Sequence, residues 1–177
     1  PKTCAVFDFD GTIISGYSAT AFLKDQIARG EISPADLVQL TQAATRFGIG
    51  SLGFSALMAV HAQYLAGRSE ADYVANSERL FRRAIAKLIY PEARQLIEAH
   101  RAAGHSIAII SSATPYQVLP AARDLGIEHV YATDLQVEDG QFAGGVVQPT
   151  CFGIGKVHAA ERFTAQQGSD LENCFFY

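Results

Sequence analysis

The chain has 177 residues, with 14 Lys and Arg against 18 Asp and Glu, for a formal charge of −4. That length fits one α/β domain, or one carrying a large insertion, and it buries enough surface to fold without a disulfide or metal staple. Apolar residues at 49% exclude a disordered acidic chain, and the lack of any basic run longer than Arg82-Arg83 argues against nucleic acid as a partner.

Residues 4–8 read as a buried strand that ends in acid and is broken by Gly11. From about 18 to 88, helical periodicity replaces the strand pattern. Ala21, Phe22, Ile27 and Ala28 mark a first helix, closed by Gly30. Ser33-Pro34 opens a second, with Ser33 as N-cap, Pro34 at the first helical position and a stripe of Leu37, Leu40, Ala44 and Phe47. A third is expected over 52–66 and a fourth over 69–89, capped by Ser69 with Asp72 three residues on. The βα rhythm then resumes with a helix over 91–103, a continuous apolar strand over 106–110, a helix over 115–125 and a strand over 129–132. Leu135–Val137 and Phe142–Val147 flank Asp139-Gly140, a hairpin signal. Gly155-Lys156 opens the last helix, and 174–177 reads as another buried strand. This order predicts a parallel, doubly wound sheet formed by 1–15 and 89–177, with a helical insert over 16–88.

The strongest chemical signal is Asp8-Phe9-Asp10-Gly11-Thr12 at the end of the first strand. Residues two apart on a strand share a side, so Asp8 and Asp10 face one pocket, and Gly11 lets the chain turn there. Two close carboxylates repel, which a divalent cation between them and a substrate relieves. One could then attack phosphorus while the other protonates the leaving oxygen. An ordinary Asp-Gly turn is the plainer alternative. Ser111-Ser112 closes the 106–110 strand at the same sheet edge, where a hydroxyl and backbone amides suit a phosphoryl oxygen, although a simple helix cap has the same look. Lys156 opens a helix against the macrodipole, so an anionic pocket or plain solvent must compensate it. A P-loop does not fit, because Thr150 stands where Gly is needed and Val157 where Ser or Thr is needed.

Acid pair, strand-end serine and helix-start lysine follow one another on three βα units. The arrangement resembles the haloacid dehalogenase-like (HAD) phosphatase superfamily, whose first motif has the form DxDGT, and it does so over essentially the whole chain. The resemblance implies a Rossmann-like α/β core with 16–88 as its helical cap. It implies Asp8 as the nucleophile that becomes aspartyl-phosphate and Asp10 as general acid and base. Gly11, Ser111, Ser112 and Lys156 would bind phosphate, and Thr12 would brace the loop. Mg²⁺ would be held by the Asp8 carboxylate and the Asp10 backbone carbonyl. The insert and the Asp139-Gly140 hairpin look like those of the phosphoserine-phosphatase-like branch.

Two departures shape the expectation. The family's fourth, metal-completing acidic motif should follow Phe175-Phe176-Tyr177, so the sequence reads as a piece of a longer protein with part of a metal site. Asp170 and Glu172 lie at the wrong end of that strand. Tyr17 stands where phosphoserine phosphatases carry an amine-holding glutamate, and His61 loosely matches their carboxylate-holding arginine. The expected partner is therefore a small-molecule phosphomonoester other than phosphoserine, with an apolar or neutral leaving group. A signalling receiver domain fits less well, because its phospho-accepting Asp follows a central strand and it has no long helical insert. A regulatory domain fused to a phospholipid acyltransferase is a further alternative, with the acyltransferase lying outside this sequence. Cys4, Cys151 and Cys174 lack CxxC spacing and are expected to be reduced core thiols in a cytoplasmic protein without a membrane span. Oligomeric state has no signature in the sequence.

Overall fold

The computed structural model describes residues 2–177. Its centre is a parallel four-stranded sheet in the order β3-β2-β1-β6, formed by β1 (Cys4–Phe7), β2 (Ser106–Ile110), β3 (His129–Tyr131) and β6 (Cys174–Phe176). β1 and β2 read as unbroken apolar runs because helices cover both faces. Ala5, Phe7, Ile107 and Ile109 pack against α5 (Pro91–Ala102) and α6 (Pro115–Asp124), in a core that includes Ile97, Val118 and Leu125. On the other face Cys4, Val6, Ala108 and Ile110 meet Ala159, Ala160 and Phe163 of α7 (Ile154–Gln166).

The insert holds α1 (Ser18–Ala28), α2 (Pro34–Gly48), α3 (Phe54–Leu65) and α4 (Glu70–Leu80). Ser33 and Ser69 cap α2 and α4 by accepting the amides of Asp36 and Asp72, as the sequence signals require. The chain enters and leaves the insert side by side. The Ser15 amide donates to the Leu88 carbonyl at 2.8 Å, and the Tyr90 amide to Ile13 at 3.0 Å.

A hairpin of β4 (Leu135–Glu138) and β5 (Gln141–Val146) turns at Asp139-Gly140, both in the left-handed region with φ of 49° and 76°. It forms its own two-stranded sheet and lies on the insert, not in the central sheet. The Gly67 amide donates to the Phe142 carbonyl and the Phe142 amide to Arg68, while Tyr73, Tyr116 and Phe142 meet edge to face with centroids 5.3 Å apart.

Several sequence expectations need correction. The helix predicted over 69–89 stops at Leu80 and continues as a π turn (Phe81–Ile85) and a 3₁₀ turn (Ala86–Leu88), which rotate the buried stripe onto Phe81 and Ile85. In α1, Ile27 is exposed while Asp25 and Gln26 are buried, because Arg29 and Arg79 draw the Asp25 carboxylate inward. In α2, Ala43 is buried in place of Ala44. The last strand is not buried: Phe175, Phe176 and Tyr177 are exposed, since β6 is an edge strand paired only with β1 among the described residues.

Candidate active site

Asp8 leaves β1 at the carboxyl edge of the sheet. Phe7 is paired with Ile109, so Asp8 is level with Ile110 and Ser111 follows one step later on a strand about 4.8 Å away. Lys156, in the first turn of α7, places Nζ 2.6 Å from Asp8 Oδ2, and Asp8 Oδ1 accepts the Phe9 amide at 2.7 Å. The carboxylate thus supplies the counter-charge that a lysine at a helix N-terminus needs. The side chains of Lys156 and Asp8 remain 30% and 36% exposed, so the pair is open to a small anion.

The loop before α7 fixes that lysine. A Cβ at Gly155 would lie 1.9 Å from the Thr150 carbonyl oxygen, a distance only glycine avoids. Gly11, with φ of 74°, donates its amide to the Gly16 carbonyl at 3.0 Å and closes the turn after the acid pair. Thr12 donates its amide to Phe9 within the same turn.

Asp10 Oδ1 accepts the amide of Ser18, the first residue of α1, at 2.7 Å. Burial pushes the Asp10 carboxyl group up and the Asp8 charge adds to this. Hydrogen bonds from Ser18 oppose the rise without cancelling it. The group is shifted toward its proton-carrying form.

Ser111 is buried, accepts the Ala113 amide on Oγ at 3.1 Å, and donates its own amide to Tyr131. Its hydroxyl hydrogen takes no acceptor among the described residues. Ser112 is half-buried beside it. Tyr17 precedes α1 with its side chain exposed. His61 lies on α3, where burial and the nearby Arg68 push its pKa down to about 4. Neither Tyr17 nor His61 makes a hydrogen bond or ion pair with Asp8, Asp10 or Lys156 among the described residues.

The sequence reading did not single out Ser18, Thr114 or Gln117. Gln117 Nε2 donates to Ser18 Oγ at 2.9 Å, and Gln117 Oε1 accepts the Thr114 amide at 2.8 Å. The Thr114-to-Gln117 spacing is a capping-box signature that was legible in the sequence; its link to Ser18 was not. Cys151 is buried below Ser111, its thiol pushed up to about 11 by burial, so it carries no nucleophilic thiolate. The insert reaches this edge through Phe54, whose ring stacks on Phe152 at 4.4 Å, with Phe47 edge-on to both at 5.9 Å. Phe152 is four residues before Lys156.

The Asp8 carboxylate and the Asp10 carbonyl are hard oxygen donors, and no backbone amide takes the Asp10 carbonyl among the described residues. No group of three or more His, Cys, Asp or Glu gathers there among the described residues. Such a sparse oxygen set suits Mg²⁺, which keeps waters and substrate phosphate oxygens beside one or two carboxylates.

A family profile for haloacid dehalogenase-like hydrolases matches residues 5–177. The chain belongs to this family. Among its relatives are phosphoserine phosphatases. It is 31% identical over 179 residues to a protein of Mycobacterium tuberculosis H37Rv named probable phosphatase, covering 99% of this chain and 62% of that one. It is 32% identical over 178 residues to phosphoserine phosphatase SerB1 of the same strain, covering 98% of this chain and 58% of SerB1. The chain therefore spans about three-fifths of these relatives. A solved neighbour is a protein of unknown function from Bordetella pertussis Tohama I, with a TM-score of 0.89 and 25% identity, covering 99% of this chain and 81% of that one. No helix among the described residues is long and apolar enough to cross a membrane.

Proposed function

We propose that the protein is a Mg²⁺-dependent phosphomonoester hydrolase that works through an aspartyl-phosphate on Asp8. The observation that carries this reading is the 2.6 Å contact between Lys156 Nζ and Asp8 Oδ2 at the sheet edge, beside a carboxyl group shifted toward its protonated form.

Asp8 attacks phosphorus through a carboxylate oxygen while the bond from phosphorus to the ester oxygen breaks. The departing electron pair takes the proton of Asp10, and an alcohol leaves. Asp10, now a carboxylate, removes a proton from water; the resulting oxygen attacks phosphorus, and cleavage of the acyl phosphate P–O bond restores Asp8. Lys156 and the Ser111 hydroxyl, with Gly11 and Ser112 beside them, face the charge that builds on the phosphoryl oxygens, and Thr12 braces the turn. Mg²⁺ held by the Asp8 carboxylate and the Asp10 carbonyl would supply further neutralisation of that charge.

Residues 16–88 act as the cap over this edge, a role supported by the Phe47, Phe54 and Phe152 contact next to the Lys156 loop. The substrate is a small phosphomonoester other than phosphoserine. Tyr17 offers no carboxylate for an amine, and His61, held neutral, offers no cation for a carboxylate. The three cysteines are free thiols, which suits a cytoplasmic setting.

The test uses the full-length protein with Mg²⁺ and p-nitrophenyl phosphate. Phosphate release is expected from the wild type, and Asp8→Asn should lower it to background while leaving the melting temperature within a few degrees. Undiminished turnover by that variant rules the mechanism out.

A further inference from the structure

Asp10 is held by groups outside the family's motifs. Its Oδ1 takes the Ser18 amide at 2.7 Å. Ser18 is completely buried, and Gln117 reaches it through Nε2 at 2.9 Å. The far end of this row fixes the sense of the Gln117 bonds. A backbone N–H can only donate, so the atom of Gln117 that meets the Thr114 amide at 2.8 Å is its oxygen, which also takes the Thr114 hydroxyl at 2.9 Å. Gln117 then presents its NH₂ group to Ser18, whose side-chain oxygen must accept, while the Ser18 amide donates to Asp10.

We infer that Ser18 and Gln117 are positioning residues that aim the Asp10 carboxyl group at the leaving oxygen; this rests on the reading of Asp10 as the acid. Buried polar groups cost free energy unless each finds a partner, and here Gln117 holds the Ser18 side chain while the Ser18 amide holds the carboxyl group. The two side chains come from distant parts of the chain, Ser18 at the start of the insert and Gln117 in the first turn of α6. The acid is therefore aimed only while α1 is seated against α6. Such aim matters, because misplacement by about 1 Å can cost ~10²-fold in rate.

The experiment measures first-turnover ester cleavage by rapid quench, with the full-length protein, Mg²⁺, and two substrates. Nitrophenolate leaves without needing a proton, whereas the alkoxide of propyl phosphate needs one. Gln117→Met keeps the volume but cannot make the bonds. It should slow propyl phosphate by about tenfold or more and nitrophenyl phosphate by less than about threefold, with KM for both unchanged. Ser18→Ala should repeat the pattern and Ser18→Thr should restore the wild-type ratio; this pair carries the test should Gln117→Met fail to fold. Equal slowing of both esters, a raised KM, or no slowing overturns the inference while the hydrolase reading stands. A wild type that cleaves neither ester removes the hydrolase reading and the inference with it.

Discussion

At the residue scale, two positions carry most of the chemistry at the sheet edge. Lys156 meets Asp8 where charge would build on a phosphoryl group, so Lys156→Ala should lower kcat by about 10²–10³, read by steady-state phosphate release. Gly155 decides whether that lysine is in place. An added methyl group would run into the Thr150 carbonyl, and the backbone must shift. Gly155→Ala should therefore cost about 1–3 kcal/mol in urea unfolding and lower activity as well. Gly48→Ala is the contrast: its Cβ meets nothing within 4 Å and no positive φ is required, so stability should hold or rise slightly.

Helix α1 shows how one charge can override an apolar stripe at the scale of an element. Asp25 is buried, which alone would raise its carboxyl group. Hydrogen bonds from Arg79, Arg29 and Asn76 outweigh this and hold it below the usual carboxylate range. The network ties α1 to α4, and Asp25→Ala leaves two arginines without their shared partner. A loss of about 3 kcal/mol at pH 7 is expected from urea midpoints. Because the folded-state carboxyl is depressed, its contribution is present above the unfolded value of about 3.9 and fades as pH falls through the folded one. The gap between wild type and variant should therefore close at strongly acid pH.

For the whole molecule, insert, hairpin and sheet share one hydrophobic core running from Phe7 and Ile109 to Met58, Leu65 and Phe142. Two histidines, the buried His100 and the partly buried His61, make the fold sensitive to acid. Burial and Arg68 lower His61 to about 4, and burial with His105 lowers His100. Below an unfolded value of about 6.5 the unfolded chain binds protons that the folded chain does not. Stability should fall as pH drops from there toward about 4, where His61 protonates in the folded state too. Thermal melts at pH 7 and pH 5 should show a smaller drop for His61→Gln than for the wild type.

Local patterning alone determined much of this protein. Unbroken apolar runs gave β1 and β2, Asp139-Gly140 gave the hairpin, the serine caps gave α2 and α4, and the order of Asp8, Ser111 and Lys156 placed three groups at one sheet edge. These are short-range properties, set by side-chain alternation, turn conformation and the sense of parallel strands. Tertiary structure decided which faces became interior. It buried Asp25 while exposing Ile27, laid the hairpin on the insert, and joined Ser18 to a glutamine 99 residues away. Such choices depend on what each surface finds to pack against across the fold, and residue spacing carries no record of a partner that distant.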